Sequence, residues 1–389
     1  MLMTRIKMII LMVLMVSSAL SANDSIAIKL DSIVGNAKIL ETSQMGVMVY
    51  DLTADSVLYQ RDARQTLRPA STMKLITAIT ALDRLGGDYQ YSTRLVSRDS
   101  TIVLIGGMDP LINEDDLRMM ADSLKAMGID TIRGGIIADR SMKDEDLYGE
   151  GWCWDDDNPE LSPLVYHRKD YMIEAFQKAL YNANVNLNPD LNPNGNLSPL
   201  TSNLSPLNIE ITHSLREVLV PMMKHSNNLY AESMYYQIGL LKGKPSTAKK
   251  AKAIEEEVLK KAPSLNGRDG VGPHRFADGS GLSLYNYVSA DILVAFLRYA
   301  YHNKDIYLEL YDALPIAGVD GTLKDRMKNT PAMDNVHAKT GTLSGVSSLA
   351  GYCKTRDGRT LAFAIINQGV MKGSYAKALQ DKLCNAMCE

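Results

Sequence analysis

The sequence has few cysteines and no pattern of metal ligands. Its 389 residues include four cysteines, Cys153, Cys353, Cys384 and Cys388, which are too few for a dense disulfide framework. The last two lack C-x-x-C spacing, no pair of histidines stands beside them, and no H-E-x-x-H motif occurs. These absences argue against a metal enzyme of the common zinc classes. Buried thiols and disulfides are both compatible with the cysteine pattern.

The sequence also lacks clustered positive charge and a long hydrophobic run. Lys and Arg number 42 against 45 Asp and Glu, and without a basic run nucleic acid is not an expected partner. Residues 8–16 are apolar, follow Arg5 and Lys7, and precede the small residues 17–22. This run is too short to span a bilayer and predicts a secretory signal peptide over residues 1–22, with an uncleaved anchor as the alternative. We expect an exported, soluble protein with at most peripheral membrane contact.

The middle of the chain differs in character from its two ends. Strand, hairpin and helix patterns fill residues 23–88, and helices followed by strands fill residues 207–389. Between them, residues 89–206 alternate strands and helices and end in a stretch, 188–208, whose Asn, Pro and Ser content predicts an exposed loop. We therefore predict an α+β protein with an inserted α/β subdomain at residues 89–206.

Several individual elements can be predicted from hydrophobic periodicity. Near the C-terminus, strands are expected at 336–342, 346–353 and 360–366, with Asp357-Gly358 as a hairpin turn. The other predictions used below are one helix over 26–41, one strand over 132–138, a helical pattern that resumes at Ile209, and a closing helix over 375–387.

Ser71 and Lys74 stand three residues apart at the start of a predicted helix. Side chains at i and i+3 project from the same helical face, so the Lys74 amine can reach the Ser71 hydroxyl. Ser71 lies in the first turn, where free N–H groups and the positive dipole end favour an anion. This arrangement suggests acyl transfer. Ser246 and Lys249 have the same spacing but are interpreted as the cap of a solvated helix.

A Ser–Lys catalyst needs a neutral lysine, a second hydroxyl and donors that hold the substrate. Ser226 and Asn228 offer a hydroxyl and an amide at the start of a helix, although helix capping is an alternative explanation. Residues 339–342 read Lys-Thr-Gly-Thr at the end of a predicted strand. This segment offers a positive charge, two hydroxyls and a glycine where a substrate backbone can approach.

Together, Ser-x-x-Lys, Ser-x-Asn and Lys-Thr-Gly in this order are the signature set of serine penicillin-binding proteins and β-lactamases. The chain resembles the penicillin-binding protein 4 type of D-alanyl-D-alanine carboxypeptidase/endopeptidase, the DacB or peptidase S13 family. Further segments carry the resemblance, at 104–110, 151–156, 277–283 and 314–323. The resemblance covers nearly the whole mature chain. It implies a serine β-lactamase/DD-peptidase-like fold, an antiparallel sheet flanked by helices plus a helical part.

The resemblance implies a chemical role for each motif. Ser71 attacks the carbonyl of the penultimate D-alanine, Lys74 is the base, and Ser226 relays the proton. The backbone N–H groups of Ser71 and Thr342 make the oxyanion hole, and water then deacylates the serine. No metal or organic cofactor is implied.

The remaining motif residues are implied to bind the substrate. Asn228 orients the substrate amide, and Lys339 with Thr340 and Thr342 holds the terminal carboxylate beside Gly341. The expected substrate is a peptidoglycan peptide, β-lactam antibiotics are the expected covalent inhibitors, and the expected location is the periplasm.

An acidic segment in the insertion suggests a further contact with substrate. Asp155, Asp156 and Asp157 follow two tryptophans, Trp152 and Trp154. Such a cluster can receive the side-chain ammonium of a peptidoglycan diamino acid, and we select Asp156. The alternative is a solvated acidic loop held by two buried tryptophans.

Three rival functions are considered. A Ser-His-Asp hydrolase is disfavoured because the sequence has no G-x-S-x-G elbow. A β-lactamase is the nearest rival within the fold, but no convincing Glu-x-x-Leu-Asn supplies a deacylating base. A catalytically idle peptidoglycan-binding scaffold is disfavoured because all three motifs are intact.

Overall fold

A computed structural model of the chain describes residues 25–188, 204–262, 265 and 272–389. The expected signal peptide at 1–22 and much of the Asn/Pro/Ser-rich stretch lie outside the described residues. Within those residues the strands are β1 (Gln44–Asp51), β2 (Ser56–Arg61), β3 (Gln90–Arg98), β4 (Thr101–Ile105), β5 (Thr131–Ile132), β6 (Ile136–Asp139), β7 (Asn186–Leu187), β8 (Ser205–Ser214), β9 (His337–Leu343), β10 (Val346–Lys354) and β11 (Thr360–Gln368).

The helices of the described chain surround these strands. They are α1 (residues 25–35), α2 (Met73–Arg84), α3 (Glu114–Ala126), α4 (Met172–Asn182), α5 (Leu215–His225), α6 (Asn228–Leu240), α7 (Ala248–Lys261), α8 (Ala290–His302), α9 (Lys304–Ala313) and α10 (Gly373–Cys388). Short 3₁₀ helices cover Lys38–Glu41, Ala70–Thr72 and Gly321–Leu323.

The main sheet has five antiparallel strands in the order β2-β1-β11-β10-β9. The central strands β1, β10 and β11 are buried on both faces, and their successive side chains point to opposite sides. On β1, Val47 and Val49 pack with α1 and α10, whereas Met48 and Tyr50 pack with the helices of the opposite face, including α2 and α8. The sheet is therefore the middle layer of a three-layer α+β unit, with β9 at its edge.

A second sheet lies between α2 and α5 in the chain. Its four strands run in the order β6-β4-β3-β8, and α3 and α4 cover one face through a separate hydrophobic core. Since β8 pairs with β3 from Ser205 to Ser214, we propose that the inserted subdomain extends beyond residue 206 to Ser214.

The structure corrects three predictions about individual elements. The predicted strand 132–138 is two strands, β5 and β6, because Gly134 and Gly135 interrupt it and Gly135 has a φ of 79°. Residues 205–208, predicted as loop, and 209–214, predicted as the start of a helical pattern, form β8. There the alternate positions 207, 209 and 211 face inward, which is the period of a strand.

The predicted helix over residues 26–41 is also interrupted. α1 ends at residue 35, and a separate 3₁₀ helix follows after Ala37, whose ψ of 96° is extended. Gly35 and Asn36 lie at the break, where two residues of low helix propensity follow one another. The C-terminal meander and closing helix agree with prediction to within one or two residues, whereas α9 was not predicted.

Candidate active site

Ser71 lies in the 3₁₀ turn that leads directly into α2. The preceding Ala70 has a φ of 48°, an uncommon conformation for a residue with a side chain. The turn is held by the Pro69 carbonyl, which accepts hydrogen bonds from the Thr72 hydroxyl at 2.7 Å and the Ser348 hydroxyl at 2.5 Å. Ser71 itself is only half-buried, so its hydroxyl can meet a ligand.

The Lys74 amine makes three hydrogen bonds at the base of the site. Its Nζ donates to Ser71 Oγ at 2.9 Å, to Asn228 Oδ1 at 2.8 Å and to the Ser280 carbonyl at 2.7 Å. The side chain is fully buried. The i, i+3 relationship expected from the sequence is therefore realised, with the amine in contact with the hydroxyl.

Burial changes the proton affinity of this amine. Loss of hydration lowers the pKa of Lys74 to about 7, and the nearby carboxyls of Asp278 and Glu232 oppose this shift. A lysine with a pKa near 7 is substantially neutral at neutral pH and can accept a proton, which an ordinary lysine cannot.

Ser226 lies at the junction of α5 and α6 in the left-handed conformation, with a φ of 58°. Asn227, not Ser226 or Asn228, caps α6 by accepting a hydrogen bond from the Tyr230 N–H. Helix capping, the alternative explanation for this motif, is therefore the role of Asn227, which lies between the two motif residues. Ser226 and Asn228 instead contact Lys339 and Lys74, respectively.

Lys339 projects from the edge strand β9 and is also fully buried. Its Nζ donates to Ser226 Oγ at 2.8 Å and to the Thr340 carbonyl at 2.8 Å. Burial lowers the pKa of Lys339 well below its ordinary value, and the charge of Lys74 lowers it further. The three motifs therefore converge around two lysines.

The glycine of the third motif lies against the turn that carries Ser71. A Cβ added at Gly341 would lie 2.2 Å from Ser348 Oγ, 2.7 Å from the Pro69 carbonyl and 3.0 Å from the Ser71 nitrogen. The sequence predicted a close approach by substrate, whereas the close contact in the structure is with the protein itself.

The two threonines of this motif differ in their surroundings. Thr340 is half-buried, and its hydroxyl donates to the Thr322 hydroxyl at 2.8 Å. Thr342 is exposed on β9. Both lie at the open edge of the main sheet, where an extended ligand can approach.

Sequence reasoning assigned no role to the loop at residues 277–283, although it noted the segment. The Ser280 carbonyl of this loop accepts from Lys74, and a Cβ added at Gly281, whose φ is 81°, would lie 1.9 Å from the Ala70 carbonyl. The two glycines of the Asp-Gly-Ser-Gly segment indicate close backbone packing. They do not indicate which part of the chain they pack against.

The acidic segment lies beside this loop. The Trp152 indole donates to Asp278 at 2.8 Å, and the Leu284 N–H donates to the Gly151 carbonyl at 3.2 Å. Trp154 is 93% exposed, so the expectation of two buried tryptophans is wrong for this residue. Asp156 is exposed to solvent.

Neither a metal centre nor a membrane span is found in the part of the chain that the structure describes. No group of three or more His, Cys, Asp or Glu side chains there could hold a metal ion. No helix among the same residues is both long and apolar enough to cross a bilayer. All four cysteines are described, and each is a free thiol.

The α+β fold and the contact of Ser71 with the buried Lys74 define a serine peptidase of the penicillin-recognising class. Residues 26–165 and 160–387 match the D-Ala-D-Ala carboxypeptidase 3 (S13) family, and the chain belongs to this family. The resemblance deduced from the three motifs is thereby confirmed.

Individual relatives agree with this assignment. The chain is similar to a D-alanyl-D-alanine carboxypeptidase from an Actinomadura species, with 29% identity across 90% of this chain and 82% of the relative. Its structure matches penicillin binding protein 4 (dacB) from Haemophilus influenzae with a TM-score of 0.79 and 22% identity, covering 91% of this chain and 97% of the other. A predatory peptidoglycan endopeptidase from Bdellovibrio bacteriovorus matches with a TM-score of 0.52 and 17% identity, covering 84% and 86%. The expected fold is confirmed.

Proposed function

We propose that this protein is a serine-type D-Ala-D-Ala carboxypeptidase/endopeptidase that cleaves peptidoglycan stem peptides and cross-links through an acyl-enzyme on Ser71. One observation carries the proposal most directly. The Nζ of Lys74 lies 2.9 Å from Ser71 Oγ, and burial brings the pKa of this amine to about 7. Membership of the S13 family supports the substrate class.

Acylation begins with proton transfer from Ser71 to the neutral amine of Lys74. The Ser71 oxygen attacks the carbonyl carbon of the penultimate D-alanine, and the backbone N–H groups of Ser71 and Thr342 stabilise the resulting oxyanion. Each such donor typically contributes about 10²–10³ in rate. Ser226 relays the proton held by Lys74 to the departing amine, which leaves as D-alanine or as the cross-linked peptide, and Lys74 returns to its neutral form.

Substrate binding uses the second lysine and its neighbours. Lys339, Thr340 and Thr342 hold the terminal carboxylate at the edge of β9, and Asn228 orients the substrate amide. The contacts of Lys339 with Ser226 and of Asn228 with Lys74 support these roles, because they place both binding groups next to the reacting atoms. Water then hydrolyses the ester and regenerates Ser71.

β-Lactams are expected to acylate the same serine. A Haemophilus influenzae relative, penicillin binding protein 4, has been solved with a novel β-lactam. In this protein the strained lactam carbonyl takes the place of the D-Ala-D-Ala peptide bond, and the adduct persists because deacylation is slow.

Mass spectrometry after treatment with benzylpenicillin tests the proposal. Wild type is expected to gain one penicilloyl group on Ser71 and to release D-alanine from a D-Ala-D-Ala peptide, whereas Ser71→Ala does neither. Steady turnover of a chromogenic cephalosporin, without a long-lived adduct, would favour a β-lactamase instead. Equal behaviour of wild type and Ser71→Ala would favour an idle scaffold.

Asp156 is proposed to bind the ammonium group of a diamino acid in the stem peptide. Its carboxylate is exposed, four residues beyond Trp152, which bonds to the loop that borders Lys74, whereas the neighbouring Asp157 is paired with Arg168 at 3.1 Å. Asp156→Ala is expected to raise the Michaelis constant for a diaminopimelate-containing muropeptide, and the adjacent Asp155→Ala is the matched control. An unchanged Michaelis constant in Asp156→Ala would rule out this role.

Export to the periplasm follows from the proposed substrate and the N-terminal pattern. Residues 1–22 are proposed to direct secretion and to be removed, with cleavage after Ala19, Ser21 or Ala22. N-terminal sequencing of the protein from a periplasmic fraction is expected to begin at the residue after one of these positions.

A further inference from the structure

A buried carboxyl group lies close to Lys74 and bonds to the same residue, Ser280. It belongs to Glu232, which follows Asn228 by four residues on α6 and is 1% exposed. Side chains at i and i+4 share a helical face, so Asn228 and Glu232 both face α2 and the loop at 277–283. We propose that Glu232 is a positioning residue that holds the backbone of Ser280 and thereby the Lys74 amine. This inference rests on the function proposed above.

The geometry links the three residues through one backbone segment. Glu232 Oε1 accepts a hydrogen bond from the Ser280 N–H at 2.8 Å, and the carbonyl of Ser280 accepts from Lys74 Nζ at 2.7 Å. Ser280 is therefore held on its N–H side by the carboxyl and on its carbonyl side by the catalytic amine. A shift of Ser280 moves the third hydrogen-bond acceptor of the Lys74 amine and changes the direction of this amine relative to Ser71.

The rest of the loop is anchored by another carboxyl group. Asp278 accepts from the backbone N–H groups of Gly281 and Ser283, both at 2.7 Å, and from the side chains of Trp152 at 2.8 Å and Asn286 at 2.7 Å. These contacts secure the loop on both sides of Ser280 but leave the Ser280 N–H to Glu232. Asp278 also accepts from the Ser280 hydroxyl at 3.3 Å, so Asp278 holds the side chain of Ser280 and Glu232 holds its backbone N–H.

Glu232 also shares its surroundings with several other titratable groups. Those facing this region are Lys74 from α2, Lys339 from β9, Asp278 from the loop, Glu255 from α7, and Tyr235 and Tyr236 from α6. Burial, together with the charge of Asp278, raises the pKa of Glu232 to about 8. Glu232 is therefore largely neutral at the pH where Lys74 titrates, and a neutral replacement is expected to leave the protonation of Lys74 nearly unchanged.

Three variants separate positioning from a general structural role. Glu232→Gln keeps an acceptor oxygen but no charge, and Glu232→Leu removes both. Glu255→Gln is the control, because Glu255 is equally buried in the same cluster but bonds to Thr77 rather than Ser280. The full-length mature protein is used, and the second-order rate of benzylpenicillin acylation is measured between pH 5 and pH 9.

Glu232→Leu is expected to slow acylation about 10–100-fold at pH 7.5, since small displacements of a catalytic group have effects of this order. Glu232→Gln, which retains the acceptor oxygen, is expected to stay within about threefold of wild type and to keep the acidic limb of the pH profile in place. Glu255→Gln is expected to leave that limb in place. Thermal unfolding by circular dichroism verifies that each variant is folded.

Two results would overturn the inference: wild-type acylation by folded Glu232→Leu, or acylation by Glu232→Gln that is as slow as acylation by Glu232→Leu. If Glu232→Leu does not fold, Glu232→Ala, which also removes the acceptor, is measured in its place. Failure of wild type itself to form a Ser71 adduct would instead contradict the proposed function, so the two failures are distinguishable.

Discussion

The amine of Lys339 donates a hydrogen bond of 2.8 Å to the hydroxyl of Ser226, across 113 residues of sequence. The amine of Lys74 likewise donates a hydrogen bond of 2.9 Å to the hydroxyl of Ser71. The site thus contains two Ser–Lys pairs, one from a single helical turn and one assembled by the tertiary fold. The charge of Lys74 lowers the pKa of Lys339, so the protonation states of the two pairs are coupled.

The pH dependence of acylation follows from the buried Lys74. Its pKa is about 7 in the folded protein, and below that value the amine is protonated and cannot accept the Ser71 proton. The acylation rate is expected to fall about tenfold per pH unit below the pKa and to level off above it. Stopped-flow measurement with a reporter β-lactam checks this profile.

Replacing Lys74 by methionine is the matched control for the profile. Lys74→Met retains a long unbranched side chain but no base, and acylation is expected to fall by about 10²–10⁴. The pKa of Lys74 is lower in the folded protein than in the unfolded chain, so between about pH 7 and pH 10 the unfolded chain binds one proton more. The free energy of unfolding of wild type therefore rises with pH in that window. Lys74→Met is expected to lose this gain. A variant that acylates within tenfold of wild type would contradict the assigned base.

Binding of a substrate carboxylate is expected to add a proton to the site. Burial holds the pKa of Lys339 well below its ordinary value, and a carboxylate beside it favours the charged amine and raises that pKa. Calorimetry of a D-Ala-D-Ala peptide binding to Ser71→Ala, in buffers of different ionisation enthalpy, is expected to report uptake of up to about one proton. Lys339→Met is expected to abolish the uptake. Heats independent of the buffer would contradict the assignment.

A methyl group at position 341 is expected to disable the nucleophile without reaching the substrate. The added Cβ of Gly341→Ala would meet Ser348 Oγ at 2.2 Å and the Pro69 carbonyl at 2.7 Å, and both groups hold the turn that carries Ser71. Acylation is expected to slow by about 10²-fold. Gly373→Ala is the control, because nothing lies within 4 Å of its added Cβ. Equal acylation rates in the two variants would show that the turn tolerates displacement.

Thiol reactivity is expected to be confined to one position. Cys353, Cys384 and Cys388 are buried between β10 and α10, whereas Cys153 is half-buried near the site. Burial raises the pKa of Cys384 well above its ordinary value, which further suppresses its thiolate. Iodoacetamide followed by peptide mapping is expected to modify Cys153 alone in the native protein and all four after denaturation. Labelling of Cys388 in the native protein would contradict the packing of α10.

The parts of the site whose geometry depends on residues close together in the chain could be predicted from the sequence. The contact of Ser71 with Lys74 depends only on helical spacing, and the tight packing at Gly341 is signalled by a glycine inside a strand. The meander β9–β11 could be located because alternation and a hairpin turn are short-range signals. These features depend on residues a few positions apart, which a single sequence displays.

Other parts of the site depend on contacts between distant segments. Glu232 lies in a helix that begins at a motif, and nothing local distinguishes it from a solvated glutamate until Ser280 is packed against it. The strand β8 was mistaken for loop and helix because its partner β3 lies more than 100 residues earlier, and tertiary pairing overrides a weak local pattern.

The register of the main sheet joins Gln44 to Gln368, so its second strand in spatial order hydrogen-bonds to the last strand synthesised. Until residues 337–368 have joined the sheet, β1 has only β2 beside it in the main sheet, and Lys339 has not reached Ser226. An incompletely made or C-terminally clipped polypeptide therefore carries the serine without its full set of partners. The cleavage activity is therefore expected to require that β9, β10 and β11 have joined the sheet.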